Sequence, residues 1–230
     1  MGDDLPARLR FRPRPARGSG TGPRGGRDEP LGLAPGRDGV VHVPASAGAA
    51  APVLVFLHGA TGSGRSHMRA VLAAADRHGV VLVAPDSRHA VTWDLIASRR
   101  FGPDVAFLDR VLEAVADHPD LDVDTTRLAL GGVSDGASYA LSVGLANGDV
   151  FPAVLAFSPG FALVPGAVSR PRVFVSHGTA DPILPIDRCS RSFVPGLREA
   201  GYDVRLDEFA GGHTVPPTVA DAAVRWWLDG

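Results

Sequence analysis

One short stretch, Arg127 to Tyr139, constrains the fold most strongly because it combines an apolar strand, a tight turn and the start of a helix. It reads RLALGGVSDGASY, and Gly132, Ser134 and Gly136 form the pattern G-x-S-x-G at the turn. A turn this sharp needs residues without a Cβ two positions before and two positions after the serine. We therefore interpret the stretch as a nucleophile elbow, which raises a serine hydroxyl above a sheet. The alternative is a glycine-rich turn with an ordinary serine.

Short apolar runs that predict strands alternate with helical patterns along the chain. We predict strands at 40–43, 53–58, 80–84, 128–130, 153–157, 172–177 and 204–209, and helices at 66–78, 105–115, 137–146, 187–199 and 219–228. This alternation predicts an α/β fold with a mostly parallel sheet and helices on both faces. In such folds, the loops at the carboxyl ends of the strands form the functional site.

The first 35 residues differ in composition from the rest of the chain. Residues 1–35 are rich in arginine, proline and glycine, and Leu9, Phe11 and Pro13 alternate with arginines there, which predicts an exposed edge strand. We expect the remainder of this range to be a flexible, solvated segment, with a nucleic-acid-binding arm as the alternative. Residues 36–230 carry the alternating pattern and are interpreted as one domain with a single sizeable core.

Charge and cysteine content exclude several classes of function. The net charge of -2 argues against a general role on nucleic acids or membrane surfaces. No apolar run is long enough to span a bilayer, and the amino terminus lacks the apolar core of a signal peptide. Cys189 is the only cysteine, so no internal disulfide framework can form. We therefore expect a cytoplasmic protein.

The loop from Gly59 to Ser66, GATGSGRS, has two interpretations. It follows a strand and nearly matches the phosphate-binding pattern G-x-x-x-x-G-K-[ST], but Arg65 occupies the lysine position. The planar arginine does not replace a compact lysine charge on terminal phosphates, and the chain contains no lysine at all. A nucleotide hydrolase is therefore the weaker interpretation.

The stronger interpretation of this loop is an oxyanion site. His58 and Gly59 directly follow a buried strand and resemble the H-G-x loop of serine hydrolases, in which the next backbone N–H, here of Ala60, points at the developing oxyanion. The N–H of Asp135, immediately after Ser134, would be the second donor. We expect the His58 ring itself to be structural.

A serine nucleophile needs a base, and the base needs a carboxylate to orient it. His213, in AGGHTVPP, lies just past the last predicted strand, where glycines allow the ring to reach back over the sheet. The candidate carboxylates are Asp181, Asp187 and Asp207. Asp207 falls within a strand and Asp187 begins a helix, whereas Asp181 follows a strand at its carboxyl end. We therefore predict the triad Ser134, Asp181 and His213, in the order serine, acid, histidine.

Four motifs in this order resemble a known family. FLHGATGSG, LGGVSDGASYAL, HGTADPILPI and GGHTVPP are similar to motifs of the alpha/beta-hydrolase superfamily, and specifically to the compact phospholipase/carboxylesterase family of serine esterases and thioesterases. The resemblance covers the chain from Val53 to its end. It implies a carboxylic ester or thioester hydrolase without a metal or an organic cofactor. Asp135 departs from the pattern, because relatives often carry a neutral residue there. A carboxylate beside an oxyanion opposes catalysis unless its side chain faces away.

Three apolar residues are candidates for a substrate pocket. Trp93, Phe161 and Ile183 all lie on loops predicted to follow the carboxyl ends of strands, where they could line an acyl or alcohol pocket. Ordinary anchoring of these loops is the alternative. The segment SPGFALVPGAVSRP, between two of the predicted strands, is too short and too interrupted by proline and glycine to form a helical cap domain.

These inferences predict a serine carboxylesterase that hydrolyses small or short-chain esters through an acyl-enzyme. An acyl thioesterase or an acylaminopeptidase-like hydrolase is the nearest alternative, and a catalytically silent hydrolase fold used for binding is an alternative of a different class. The expected partner is a small-molecule ester, with no nucleic acid and no membrane, and a homodimer is left open.

Overall fold

The computed structural model describes residues 7–18, 25–164 and 166–230. Its strands form one sheet in the order β1-β2-β4-β3-β5-β6-β7-β8. They are β1 (Arg27–Pro30), β2 (Gly39–Val43), β3 (Ala51–Leu57), β4 (Val81–Pro85), β5 (Val123–Val133), β6 (Ala153–Phe157), β7 (Arg172–Gly178) and β8 (Val204–Phe209). β1 pairs with β2 and β2 with β4 in antiparallel register, and all other pairs are parallel. The predicted α/β class with a mostly parallel sheet is confirmed.

The helices pack on both faces of this sheet. They are α1 (Gly64–His67), α2 (Arg69–His78), α3 (Asp94–Ser98), α4 (Pro103–Asp117), α5 (Asp135–Ala146), α6 (Ser190–Glu199) and α7 (Pro217–Leu228), with a 3-10 turn at Ile186–Arg188. Val53, Val55 and Leu57 of β3 pack into the core cluster that contains the apolar face of α4. Leu54 and Phe56 pack into the cluster with α2 and α7. Alternate residues of one strand thus reach opposite layers, so a strand buried on both faces reads as a continuous apolar run.

Two elements, β1 and α3, are not predicted from the sequence. β1 has the sequence RDEP, which has no apolar run, and its extended conformation follows from the antiparallel pairing with β2. α3 is only five residues long, too short for a helical period to be recognised. The predicted helix at 66–78 is divided into α1 and α2 at Met68.

The predicted edge strand at Leu9 to Pro13 is wrong. This segment is extended but joins no sheet, because its backbone N–H groups bind side chains instead of a neighbouring strand. The N–H of Leu9 donates to Asn147 Oδ1 at 2.8 Å, and that of Phe11 donates to Asp109 Oδ1 at 2.9 Å. Leu9 and Phe11 are only 2% and 1% exposed, so the period-two pattern marks a side buried against the protein core. Residues 27–30 form β1, and residues 19–24 lie outside the described part of the chain.

The connection between β6 and β7 is a loop without a cap. Its described residues, 158–164 and 166–171, contain no helix. This agrees with the predicted fold, which has no cap domain between these two strands. Over the ranges that the structure describes, none of the helices combines the length and the apolar character needed to cross a membrane.

Candidate active site

Ser134 stands at the sharp turn between β5 and α5. Its backbone has φ 57° and ψ -121°, a left-handed conformation that a residue with a side chain rarely adopts. A Cβ on Gly132 would lie 2.5 Å from the carbonyl carbon of Gly136, and a Cβ on Gly136 would overlap the backbone oxygens of Leu57 and His58. The crowding explains why both flanking positions are glycine, as the elbow interpretation requires.

The parallel register places Ser134 beside the loops that carry the other predicted residues. The N–H of Ser134 donates to the carbonyl oxygen of Phe157 at 2.9 Å, and the N–H of Ser158 donates to that of Ser176 at 2.8 Å. The carboxyl ends of β5, β6 and β7 therefore lie side by side, and β8 continues the row through the pair His177 and Glu208.

Asp181 and His213 are in direct contact. Asp181 Oδ2 lies 2.6 Å from His213 Nδ1, and the Asp181 side chain is fully buried. The other carboxylate oxygen accepts the N–H groups of Ile183 and Leu184, both at 2.9 Å. Burial raises the pKa of Asp181, but the hydrogen bonds from Leu184, His213 and Ile183 together outweigh it and leave this pKa below its ordinary value. The carboxylate is therefore ionised and aimed at the histidine.

The other candidate carboxylates are bound elsewhere. Asp187 Oδ1 pairs with Arg191 at 2.8 Å, and Asp207 pairs with Arg205 at 2.8 Å. Of the three candidates, only Asp181 contacts His213.

Interlocked glycine loops bring His213 to Asp181. The N–H of Ala180 donates to the carbonyl oxygen of Gly211 at 2.9 Å, which joins the loop after β7 to the loop after β8. A Cβ on Gly178 would overlap the backbone of Gly211 and Gly212, so the two loops approach this closely only with glycine there. Within the described residues, no hydrogen bond joins Ser134 Oγ to His213. Nucleophile and base often reach hydrogen-bonding distance only when substrate is bound.

His58 ties the predicted oxyanion loop to the protein interior. Its ring is fully buried, with Nδ1 2.7 Å from the carbonyl oxygen of Gly59. Nε2 accepts the N–H of Ser87 at 3.0 Å and faces Arg37 Nη2 at 3.1 Å. Burial lowers the pKa of His58, and this matches a neutral ring that donates at Nδ1 and accepts at Nε2. The arrangement agrees with a structural role for His58.

The same loop lies against Ser134, the predicted nucleophile. A Cβ on Gly59 would be 3.3 Å from Ser134 Cβ, so the backbone at Gly59 lies beside the serine. Ala60 is the next residue of this loop and is exposed. The carboxylate of Asp135 accepts the hydroxyl of Thr92 at 2.6 Å. Thr92 is buried, and its hydroxyl binds the Asp135 carboxylate. The negative charge of this carboxylate is the feature that would oppose catalysis if it faced an oxyanion. No sequence motif around Thr92 indicates this role.

The comparison with solved structures identifies this architecture. Esterase PE8 superposes with a TM-score of 0.64 at 25% identity, over 84% of this chain and 98% of that one. FphF, a fluorophosphonate-binding serine hydrolase of Staphylococcus aureus, gives a TM-score of 0.70 at 14% identity, over 90% of this chain and 100% of that one. The chain has the alpha/beta-hydrolase fold. The Bacillus cereus carboxylesterase also superposes, with a TM-score of 0.64 at 19% identity, over 85% of this chain and 95% of that one.

These structural neighbours are esterases and serine hydrolases, and the likeness supports a hydrolase activity for this chain. No protein-family model matches the chain, and no curated protein matches it significantly.

The prediction that Trp93 lines a substrate pocket is wrong, because its side chain is buried. Its side chain is 0% exposed, its indole N–H donates to the carbonyl oxygen of His58 at 2.8 Å, and its ring stacks on Tyr139 at 5.1 Å. An indole is large and apolar and has one hydrogen-bond donor, so it can pack beneath a loop as readily as it can line a pocket. Trp93 therefore anchors the predicted oxyanion loop to α5.

Phe161 and Ile183 lie on the loops after β6 and β7 and are 39% and 66% exposed. They belong to a group of exposed apolar side chains on the loops that follow β4, β6 and β7: Val91, Phe161, Leu163, Val164, Val168 and Ile183. The pocket role of Phe161 and Ile183 stays a prediction.

His177 is a further site residue that the sequence analysis does not single out. It is fully buried at the end of β7, with Nδ1 2.7 Å from Ser190 Oγ and Nε2 2.7 Å from the carbonyl oxygen of Leu184. The same Nε2 lies 3.3 Å from Asp181 Oδ2. His177 thus holds the Asp181 loop from below. Its position at the end of a buried strand, four residues before Asp181, is the signal that could have indicated it.

Metal-binding geometry is not found in the part of the chain that the structure describes. There, no group of three or more His, Cys, Asp or Glu side chains is placed to hold an ion.

Proposed function

We propose that this chain is a serine carboxylesterase that hydrolyses small or short-chain carboxylic esters through an acyl-enzyme. The observation that carries the proposal is the 2.6 Å contact between Asp181 and His213, at the same sheet edge as the strained Ser134. A buried, ionised carboxylate on one ring nitrogen leaves the other nitrogen of His213 to act as a base.

The proposed reaction has two stages. Ser134 Oγ attacks the ester carbonyl carbon and His213 takes its proton, while the N–H groups of Ala60 and Asp135 bind the oxyanion. The carbon–oxygen bond to the leaving alkoxide then breaks, and His213 returns the proton to form the alcohol. In the second stage, a water activated by His213 attacks the acyl-enzyme, and the acid and free Ser134 are released.

The described residues between β6 and β7 form a loop without a helix, and this supports small substrates. The acyl group must rest on loops at an open sheet edge, where its outer methylenes remain in water. Each buried methylene contributes about 0.8 kcal/mol, so a long chain that projects beyond the loops gains nothing from its added carbons.

Labelling with a fluorophosphonate probe tests the proposal. Such probes phosphonylate an activated serine, so we expect wild-type protein to become labelled and Ser134→Ala to remain unlabelled. Ser192→Ala removes an exposed hydroxyl on α6 and is the matched control that should label normally. A wild-type protein that does not label would instead be a silent hydrolase fold used for binding. A labelled protein that cleaves thioesters or acyl-peptides but not esters would shift the proposal to a thioesterase or an acylaminopeptidase-like hydrolase.

A further inference from the structure

His67 places a second imidazole beside the nucleophile. A Cβ on Gly59 would lie 3.3 Å from Ser134 Cβ and 3.5 Å from His67 Nε2, so this ring nitrogen and the serine flank one glycine. The ring packs against the predicted oxyanion loop, where a Cβ on Gly62 would overlap it. Gly62 is itself held by Arg37, which donates to its carbonyl oxygen at 3.1 Å.

The contacts of His67 determine which ring nitrogen carries the proton. Nδ1 lies 3.1 Å from Ser66 Oγ, and the Ser66 hydroxyl already donates to the carbonyl oxygen of Ser63 at 2.9 Å. Ser66 Oγ also accepts the N–H of Ser63 at 3.0 Å. Because its own proton is on the Ser63 carbonyl, Ser66 Oγ can pair with Nδ1 only by accepting Nδ1–H, so Nε2 carries the lone pair. Burial lowers the pKa of His67 and outweighs the opposing effect of the Ser63 carbonyl, which favours the neutral ring. Across the described ranges, Nε2 has no hydrogen-bond partner.

The sheet topology determines which part of a bound ester faces this lone pair. α1 contacts β2, β3 and β4, whereas Asp181 and His213 follow β7 and β8, on the other side of β5. The leaving-group oxygen must face His213 to receive its proton, and the carbonyl oxygen must face the oxyanion loop. The remaining substituent, the acyl group, then extends toward His67.

We propose that His67 Nε2 forms an acyl subsite that selects esters whose acyl group carries a hydrogen-bond donor, a hydroxyl or an amide N–H, close to the carbonyl. This subsite rests on the proposed esterase function of Ser134. An acyl group of the same size without a donor leaves the lone pair of Nε2 unbound once water is excluded, which costs transition-state stabilisation.

Three ethyl esters that share a four-carbon acyl chain test the subsite: butyrate, 3-hydroxybutyrate as separate enantiomers, and 3-methoxybutyrate, which keeps the oxygen but lacks the donor. We expect wild-type kcat/KM to be about five- to tenfold higher for one hydroxybutyrate enantiomer than for the other two esters, the range of one neutral hydrogen bond. His67→Phe keeps a ring but removes the acceptor, so the ratio of kcat/KM for the preferred hydroxybutyrate enantiomer to kcat/KM for butyrate should fall to about one. His67→Gln can place an amide oxygen near the position of Nε2 and should retain the preference. His118→Phe, at the end of α4, is the remote control.

The possible results separate this subsite from the function on which it rests. Equal hydrolysis of all three esters by wild-type protein would overturn the subsite and leave the esterase proposal standing. A uniform loss on all esters in His67→Phe, with no change in their ratio, would assign His67 a structural role and also overturn it. If wild-type protein cleaves none of the esters and does not label with a fluorophosphonate, both proposals fail.

Discussion

At the scale of single residues, Asp181 divides its two carboxylate oxygens between separate tasks. One oxygen binds the N–H groups of Ile183 and Leu184 and shapes the loop, and the other binds His213. Each of these contacts favours the ionised carboxylate over the protonated acid, and this is why the pKa of Asp181 stays low in spite of its burial.

Asp181→Asn should therefore be far more damaging than Asp207→Asn. An asparagine amide cannot reproduce a charged acceptor for His213, and loss of the corresponding carboxylate in serine hydrolases costs about 10⁴ in kcat. Asp207 pairs only with Arg205 in an exposed ion pair, so its replacement should change kcat less than about twofold. Steady-state hydrolysis of p-nitrophenyl acetate by the two variants measures the difference. The reverse ranking would show that the acid lies elsewhere.

The glycine at position 136 gives a residue-scale test of the elbow itself. Gly136→Ala should lower the free energy of unfolding by about 3 kcal/mol or more, because its Cβ would overlap the backbone oxygens of Leu57 and His58. The control is Gly196→Ala within α6, where an added Cβ meets nothing within 4 Å and should stabilise the helix by up to about 1 kcal/mol. Urea denaturation of both variants provides the comparison. Equal stabilities would mean that the turn is looser than the structure indicates.

At the scale of elements, a buried pair of aspartates joins α3 to α4. Asp104 accepts the N–H of Asp94 at 2.6 Å, and Asp94 accepts the N–H groups of Gly102 and Asp104 at 2.8 and 2.9 Å. Asp104 also accepts the N–H of Arg88. Burial raises the pKa of Asp104 to about 6 in spite of these hydrogen bonds.

This raised pKa predicts a pH dependence of stability. The folded state holds the Asp104 proton more tightly than the unfolded state, so the stabilising effect is complete below about pH 4 and is lost as the pH rises through about 6. The stability of wild-type protein relative to Asp104→Asn should therefore decrease by about 2 to 3 kcal/mol between pH 4 and pH 7. Urea denaturation of both proteins at the two pH values measures this change. If the stability of wild-type protein relative to Asp104→Asn stayed constant or increased between pH 4 and pH 7, the raised pKa would be contradicted.

The elements also show where sequence reasoning succeeds. Apolar runs such as that of β3 and the apolar face of α4 are local signals, and both elements form as predicted. The extended segment at Leu9 to Pro13 and the strand β1 obtain their conformations from distant partners, Asn147 and β2, which no local pattern reveals. Asp181 and His213 could be predicted because strand ends and glycine loops mark them. The burial of Trp93 and the roles of Thr92 and His177 depend on packing that only the folded chain supplies.

At the scale of the whole molecule, the uncapped sheet edge predicts a preference for short acyl chains. The exposed apolar side chains on the carboxyl-end loops offer a shallow surface, and a long chain would extend past them into water. Across p-nitrophenyl esters from acetate to palmitate, kcat/KM should be highest among the short esters and should show no increase at an aggregated lipid interface. A maximum at long chains would mean that these loops close over the substrate.

The central claim is that Ser134 is the nucleophile of an ester hydrolase, and turnover by Ser134→Ala tests it most directly. The substitution removes the attacking oxygen and little else, so the circular dichroism spectrum and unfolding midpoint should match those of wild-type protein. We expect kcat for p-nitrophenyl acetate to fall by about 10⁶, the loss typical when the serine of such a triad is removed. Near-normal turnover by a correctly folded Ser134→Ala protein would contradict the account.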